Sequence, residues 1–160
     1  MPVNDAAARL RSAADKYISS GNKFTASIVT HIYGKGGYIM GWVYKVSSKG
    51  FYLNGVYQFS AKYSGRPGYK DNSANECVSG KGPIPRGTYT IGQPFYHHKT
   101  RAWTMRLTPS ASNYMCGRNG FMIHGESSKH PGEASDGCII VDLPNRVAIA
   151  ASRDRSLTVE

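Results

Sequence analysis

The sequence predicts a mainly β protein, and three observations carry that expectation. Glycine (18) and tyrosine (11) are abundant while leucine is scarce, a composition suited to short strands and tight turns rather than a helical bundle. Apolar runs rich in Val, Ile, Tyr and Phe alternate with breaks of Gly, Ser, Asn and Pro, the pattern of strands joined by turns. A chain of 160 residues with 40% hydrophobic content encloses one proper core and is short for two.

The elements follow in order. Leu10, Ala13, Ala14, Tyr17 and Ile18 recur at steps of three and four, and Gly21 stands where a left-handed cap belongs, so a short amphipathic helix is expected over 5–20. Residues 26–33 are rich in β-branched side chains and read as a strand, closed by the turn Gly34-Lys-Gly-Gly37. Residues 1–41 thus read as an N-terminal extension, helix plus strand, to a domain over 42–160. The runs 39–46 and 51–59 flank Ser47-Ser-Lys-Gly50, whose glycine can supply a positive φ, and predict a β-hairpin. Residues 64–81 are polar and without periodicity, which predicts a long surface loop bordering a cleft. Gly82-Pro-Ile-Pro85 fixes an extended entry to a strand over 88–91. Further strands are expected at 102–107, 120–124, 138–141 and 157–159, with Pro144 in the first turn of a helix running to Ala151.

The formal charge of +10 attracts polyanions, but the basic residues are scattered, which disfavours a nucleic-acid arm. No stretch approaches the ~18 apolar residues of a membrane span. The opening Met-Pro-Val-Asn-Asp, with Arg9 and Arg11 soon after, lacks the pattern of a secretory leader. Three cysteines, Cys77, Cys116 and Cys138, leave at least one thiol free within a monomer. Whether Cys77 and Cys116 are bonded or reduced stays open at this point.

One constellation carries chemistry. Phe121-Met-Ile-His124-Gly125 ends an apolar strand on a histidine; Ser135-Asp-Gly-Cys138 then opens the next apolar run, Ile139-Ile-Val141. A polar loop with Gly132 joins them, as expected at the mouth of a site. A thiol of ordinary pKa, near 8.5, is little ionised at neutral pH and needs an imidazole to become nucleophilic. Cys138 is therefore the candidate nucleophile and His124 its base. Gly137 and Ser135 are candidates for the turn, with the amides of Gly137 and Cys138 as oxyanion donors. His130 is a second candidate base in the same loop, whereas His97 and His98 are expected to face water. An isolated Cys and His are more often core residues; the combined pattern is what favours catalysis. No spacing of His, Cys, Asp and Glu matches a closed zinc site, so neither a metal nor another cofactor is expected.

That pattern resembles the L,D-transpeptidase catalytic domain family, whose signature is His-Gly, a variable loop, then Ser/Thr-x-Gly-Cys and an apolar residue. Gly82-Pro-Ile-Pro-Arg-Gly-Thr-Tyr-Thr-Ile91, Trp42-Val-Tyr44, Tyr63-Ser-Gly65 and the closing Arg146, Ser152, Asp154 and Leu157 resemble the branch that includes type VI secretion effectors. Asp136 stands where many members have histidine, and Ile140 where many have Asn or Arg. The resemblance implies an L,D-transpeptidase-like β-sandwich with a few short helices. It also implies attack by Cys138 on the amide between an L-centre and D-alanine in a peptidoglycan stem, forming a thioester. Water, a stem amine or a D-amino acid then releases the stem, giving an L,D-carboxypeptidase, a transpeptidase or an exchange enzyme.

Stem peptides carry carboxylates, so cationic side chains near the site are expected to capture them, Arg118 first and Lys129 second. By resemblance Tyr63 and Ser64 line the cleft. The partners implied are peptidoglycan stems, an immunity protein and a secretion apparatus, without nucleic acid or a membrane span. The protein is expected to be made in the cytoplasm, secreted, and active as an antibacterial toxin in the periplasm of a target cell. The competing reading is a basic, non-catalytic module binding cell wall or nucleic acid.

Overall fold

Two apolar runs at the start of the domain yield three strands. β1 (Trp42–Lys45) pairs antiparallel with β2 (Gly50–Leu53), Trp42 opposite Leu53 and Lys45 opposite Gly50, as the sequence leads one to expect. The positive φ of the connecting turn falls on Lys49, at 62°, one residue before the expected glycine. The run 51–59, expected as one strand, is divided by Asn54-Gly55. Both residues take positive φ, 49° and 79°, as a type I′ turn requires to match the twist of its flanking strands. β3 (Val56–Ser60) returns from it against β2.

The computed structural model describes residues 40–160, so the helix and strand expected within the first 39 residues lie outside it. The first residue of the expected surface loop instead ends β4 (Tyr63–Ser64), and a 3-10 turn follows at Ser73–Asn75. The rest are β5 (Gly87–Ile91), β6 (Phe95–His97), β7 (Arg101–Pro109), β8 (Met122–His124), β9 (Ile139–Ile140), α1 (Leu143–Ala151) and β10 (Ser156–Val159). β6 and the early start of β7 are additions to the sequence reading.

The strands follow the order β3-β2-β1-β10-β5-β7-β8-β9-β4, with β6 paired to β7 off that path. β7 is the spine. Its far end pairs β5, its middle pairs β8 through Met105 opposite Ile123, and its beginning pairs β6 through Phe95 opposite Thr104. Two pairings are parallel, β1 with β10 and β8 with β9. Trp42, Tyr44 and Phe51 from one end of the path share a single buried cluster with Ile123 and Ile139 from the other. The two halves therefore enclose a common core, as in a sandwich. Trp42, Phe51 and Phe59 pack ring against ring at 5.0–6.1 Å, within the range of favourable aromatic pairs.

Pro144 occupies the first turn of α1, where its missing N–H leaves no bond unmade. Asp142 at the N-cap makes no side-chain cap bond and instead pairs with Lys62 at 3.2 Å. α1 buries Ile149 and Arg146. The Arg146 Nε donates to the Val141 carbonyl at 3.0 Å, and its Nη1 to the carbonyls of Ala102 and Trp103 at 2.7 and 3.2 Å. One guanidinium thus binds the helix, the end of β9 and the start of β7. Among the described residues no helix is long and apolar enough to cross a membrane.

Candidate active site

Parallel strands cannot be joined by a tight turn and need a long crossover. The Gly125–Cys138 segment is that crossover between β8 and β9, and its two ends carry the two candidate reactive groups. The register sets His124 beside Ile140. Side chains alternate along a strand, so Cys138, two residues before Ile140, comes back to the face that His124 occupies. Both line one open cleft of about 830 Å³.

His124 is buried, and its Nδ1 lies 2.8 Å from the Gly125 carbonyl oxygen. A carbonyl only accepts, so Nδ1 carries the proton and the lone pair of the neutral ring is on Nε2. Burial, aided by the nearby Arg146 charge, lowers the pKa of His124 below its ordinary value against the opposing pull of the Gly125 bond. Cys138 is partly exposed, yet protein surrounds its sulfur closely enough that desolvation pushes the thiol up to about 11. The Met122 amide and the Arg118 charge oppose that rise, while the Asp136 carboxylate adds to it. A neutral thiol and a neutral imidazole therefore line the same cleft.

Ser135 holds the turn before the cysteine, as its position suggests. Its Oγ donates to the Cys138 carbonyl at 2.6 Å and accepts from the amides of Gly65 and Gly137 at 2.8 and 3.0 Å. The Gly137 amide is therefore engaged, which corrects its assignment as an oxyanion donor and leaves the Cys138 amide as the candidate. Gly137 has φ 138°, and a Cβ there would lie 2.5 Å from the Arg118 Nη2 and 2.6 Å from the Phe121 ring. Only glycine fits such a conformation in so little space.

Arg118 is placed differently from the free carboxylate clamp expected of it. It is buried, with its Nη1 donating to the carbonyls of Glu76 and Pro83, the latter at 2.7 Å. Its Nη2 donates to those of Gly82 and Asp136 at 2.9 and 2.8 Å. All four Nη hydrogens are engaged, so the guanidinium lines the cleft as a fixed charge rather than an open fork. Tyr63 and Ser64 also differ from expectation: both are buried and support the cleft from behind. The Ser64 Oγ donates to the Gly137 carbonyl and accepts from the Ile84 amide, both at 2.9 Å. The Tyr63 hydroxyl donates to Glu126 Oε1 at 2.6 Å and accepts from the Ala134 amide at 3.1 Å, pinning both ends of the crossover loop. Burial and the Glu126 carboxylate push that hydroxyl up to about 12. Lys129 is exposed and lines the cleft. His130 is exposed too, and its amide closes a turn on Ser127.

Cys77 and Cys116 form a disulfide with Cα atoms 5.1 Å apart, which settles the alternative left open above. It fastens the 64–81 loop to the segment that enters β8. Cys138 is the free cysteine. Among the described residues no cluster of His, Cys, Asp or Glu could hold a metal.

A scan against family models matches residues 58–159 to the Tlde1 domain. The chain belongs to the Tlde1 domain family. This is a type VI effector family, and the matched segment contains every candidate site residue from Tyr63 to Cys138. No curated protein matches the sequence. Among solved structures the fold is similar to the helical cell shape determining protein Pgp2 from Campylobacter jejuni: TM-score 0.51 and 16% identity over 85% of this chain and 55% of that one. It is also similar to an L,D-transpeptidase from Mycobacterium smegmatis, with TM-score 0.45 and 16% identity over 78% and 59% of the two chains. The chain thus spans a little over half the length of either structure. At such identity the likeness is one of fold alone, and the described residues form the mainly β architecture expected.

This Tlde1 domain also has a cleft wall that the sequence reading missed. His97, His98, Lys99 and Arg101, at the tip of the β6–β7 hairpin, line the same cleft as the crossover loop, so the two histidines do not simply face water. The His97 Nδ1 accepts from the amides of Lys99 and Thr100 at 3.3 and 3.2 Å, which leaves its Nε2–H as a donor. The rings of His97 and His98 lie 4.6 Å apart. An overlooked signal is the turn His97–Thr100 itself, flanked by aromatic residues able to pair as strands.

Proposed function

We propose that this chain is a peptidoglycan-modifying cysteine enzyme that acts on tetrapeptide stems through a thioester, as an L,D-carboxypeptidase, transpeptidase or D-amino acid exchange enzyme. The observation that supports it most is the parallel β8–β9 register, which gives Cys138 and His124 one face and one cleft. The His124 Nε2 takes the thiol proton as sulfur attacks the carbonyl carbon, and the Cys138 amide is the candidate donor to the resulting oxyanion. The C–N bond then breaks, and the amine leaves with the proton held on the imidazolium. Water or an amine attacks the thioester in turn, His124 takes its proton, and the C–S bond breaks to return the thiol.

Lys129 is the open cation for the stem carboxylate, while Arg118 favours thiolate character from a fixed position. The protein acts in the periplasm of a target bacterium as a secreted antibacterial effector, with an immunity protein as partner in the producing cell. The Cys77–Cys116 bond supports this location, since disulfides persist in oxidising compartments. Residues 1–41 form an extension to the catalytic domain over 42–160.

The test is incubation of the full chain with disaccharide-tetrapeptides, following loss of terminal D-alanine or its exchange by mass spectrometry. The parent is expected to convert the tetrapeptide, and Cys138→Ala and His124→Ala to leave it intact. Conversion by Cys138→Ala at the parental rate would sink the mechanism, and an inert parent would favour a non-catalytic wall-binding module.

A further inference from the structure

The β6–β7 hairpin divides two depressions. Its tip walls the cleft, while its stem carries Phe95, Tyr96, Ala102 and Trp103 into a second groove of about 560 Å³, bounded by α1 and Arg155. The proposed reaction uses none of these groove residues. Three observations about them point to a ligand.

The first is exposure: Tyr96 is 66% and Trp103 38% accessible, so two large rings meet solvent beside a concavity. The second is backbone strain. Trp103 has φ 57° and Arg101 φ 72°, a left-handed conformation that is an outlier for a bulky side chain. Arg146 holds it there through the carbonyls of Ala102 and Trp103. Strain of this kind persists where the surroundings enforce it, and it clusters at ligand sites. The third is a polar pair at the rim. The Arg155 Nη2 donates to Gln93 Oε1 at 2.8 Å, which fixes the amide of the exposed Gln93 in the lining of the groove and leaves its Nε2 group to donate to a ligand.

We propose that this groove is a saccharide subsite that seats an N-acetylhexosamine unit of the wall glycan while the cleft holds the attached stem peptide. The proposal rests on the peptidoglycan reading above. A pyranose ring has a face of C–H groups that packs on an aromatic ring, and a rim of hydroxyl and acetamido oxygens that accept hydrogen bonds. Trp103 and Tyr96 offer the rings, and Arg155 with Gln93 the polar contacts. An apolar peptide or lipid chain would cover the Gln93 amide without giving it an acceptor. The Arg101 Nη1 donates to the Tyr96 hydroxyl at 3.0 Å, so the aromatic rim is tied to the wall of the cleft. A ligand that bridges the two depressions matches the glycan-to-stem linkage of a muropeptide.

The experiment compares kcat/KM on a disaccharide-tetrapeptide with that on the free tetrapeptide, for the parent, Tyr96→Ala and Trp103→Leu. The parent is expected to favour the sugar-bearing substrate by about tenfold, equivalent to ~1.4 kcal/mol. Both variants should bring the ratio towards one by raising KM for the muropeptide, with turnover of the free tetrapeptide unchanged. A parental ratio near one, variants that keep the parental ratio, or variants that lose both activities together would each overturn the subsite. Titration of Cys138→Ala with the peptide-free disaccharide, followed by NMR, separates the subsite from the enzymatic reading. Binding that Tyr96→Ala abolishes supports the subsite even if the parent converts no peptide, and no binding by either protein refutes it.

Discussion

Arg118 separates two accounts of the same cation. If it gripped a substrate carboxylate, Arg118→Ala would raise KM and leave the fold alone. The structure instead sets its two Nη groups on four carbonyls, those of Glu76, Gly82, Pro83 and Asp136. Truncation leaves these carbonyls without their charged donor, and at the low end for an unmet buried group, about 1 kcal/mol each, the loss is about 4 kcal/mol. That is a large part of the 5–15 kcal/mol typical of a folded domain. For a chain of this size it corresponds to a fall in Tm of about 8–16 °C. Arg118→Lys keeps the charge, but one ammonium group cannot span the four acceptors, so a substantial part of the loss remains. The assay is thermal unfolding of the oxidised protein by circular dichroism, with KM for the tetrapeptide measured well below the transition. A variant that melts within about 3 °C of the parent while its KM climbs would refute the clamp and restore the carboxylate role.

Four further outcomes are expected. The acid limb of kcat/KM should have its midpoint below the ordinary histidine value of 6.5, because burial lowers the His124 pKa and the base works unprotonated. With the thiol at about 11, iodoacetamide should alkylate Cys138 slowly at pH 6, whereas rapid alkylation there would indicate a preformed thiolate–imidazolium pair. Reduction of Cys77–Cys116, whose partners are 39 residues apart, should cost about 4 kcal/mol on the chain-entropy account. Denaturant unfolding with and without dithiothreitol measures that difference, and a thiol titration of the unreduced, unfolded chain should find Cys138 alone. Tyr63→Phe removes one bond to Glu126 and one to Ala134. It should destabilise the protein by about 1–2 kcal/mol and loosen the crossover loop, seen as faster amide exchange at Ser127 and Ala134.

The shared cleft of the candidate pair was legible in the sequence because its placement is local. His124 ends an apolar strand, Cys138 begins one, and alternation along two neighbouring strands is enough to set both on one face. Asn54-Gly55 was equally legible, being a strong short hairpin signal, but the apolar residues on either side made a single strand look continuous. Arg118 was beyond such reading. Its partners are backbone carbonyls 18 to 42 positions away, and a carbonyl has no signature in sequence. His97 and His98 sit in a polar turn, and their arrival at the cleft depends on how β6 pairs with the start of β7 across an irregular register.

The least patterned part of the sequence, the loop over 64–81 with the proline segment after it, turns out to shape the surroundings of Cys138. Ser64 holds the Gly137 carbonyl and Gly65 donates to Ser135. Arg118 joins the carbonyls of Gly82 and Pro83 to that of Asp136. The Ser135–Cys138 turn is thus held from outside, by polar groups of a segment whose loop over 64–81 places no residue in the apolar core. Such a segment keeps its shape only while its hydrogen bonds and the Cys77–Cys116 bond survive, because little hydrophobic free energy opposes its disorder. Damage to the loop should therefore reach activity before it reaches the core. In the oxidised protein the thiol is aligned by its loop, whereas in the reduced protein the sandwich can persist around a cysteine whose turn has lost its mould.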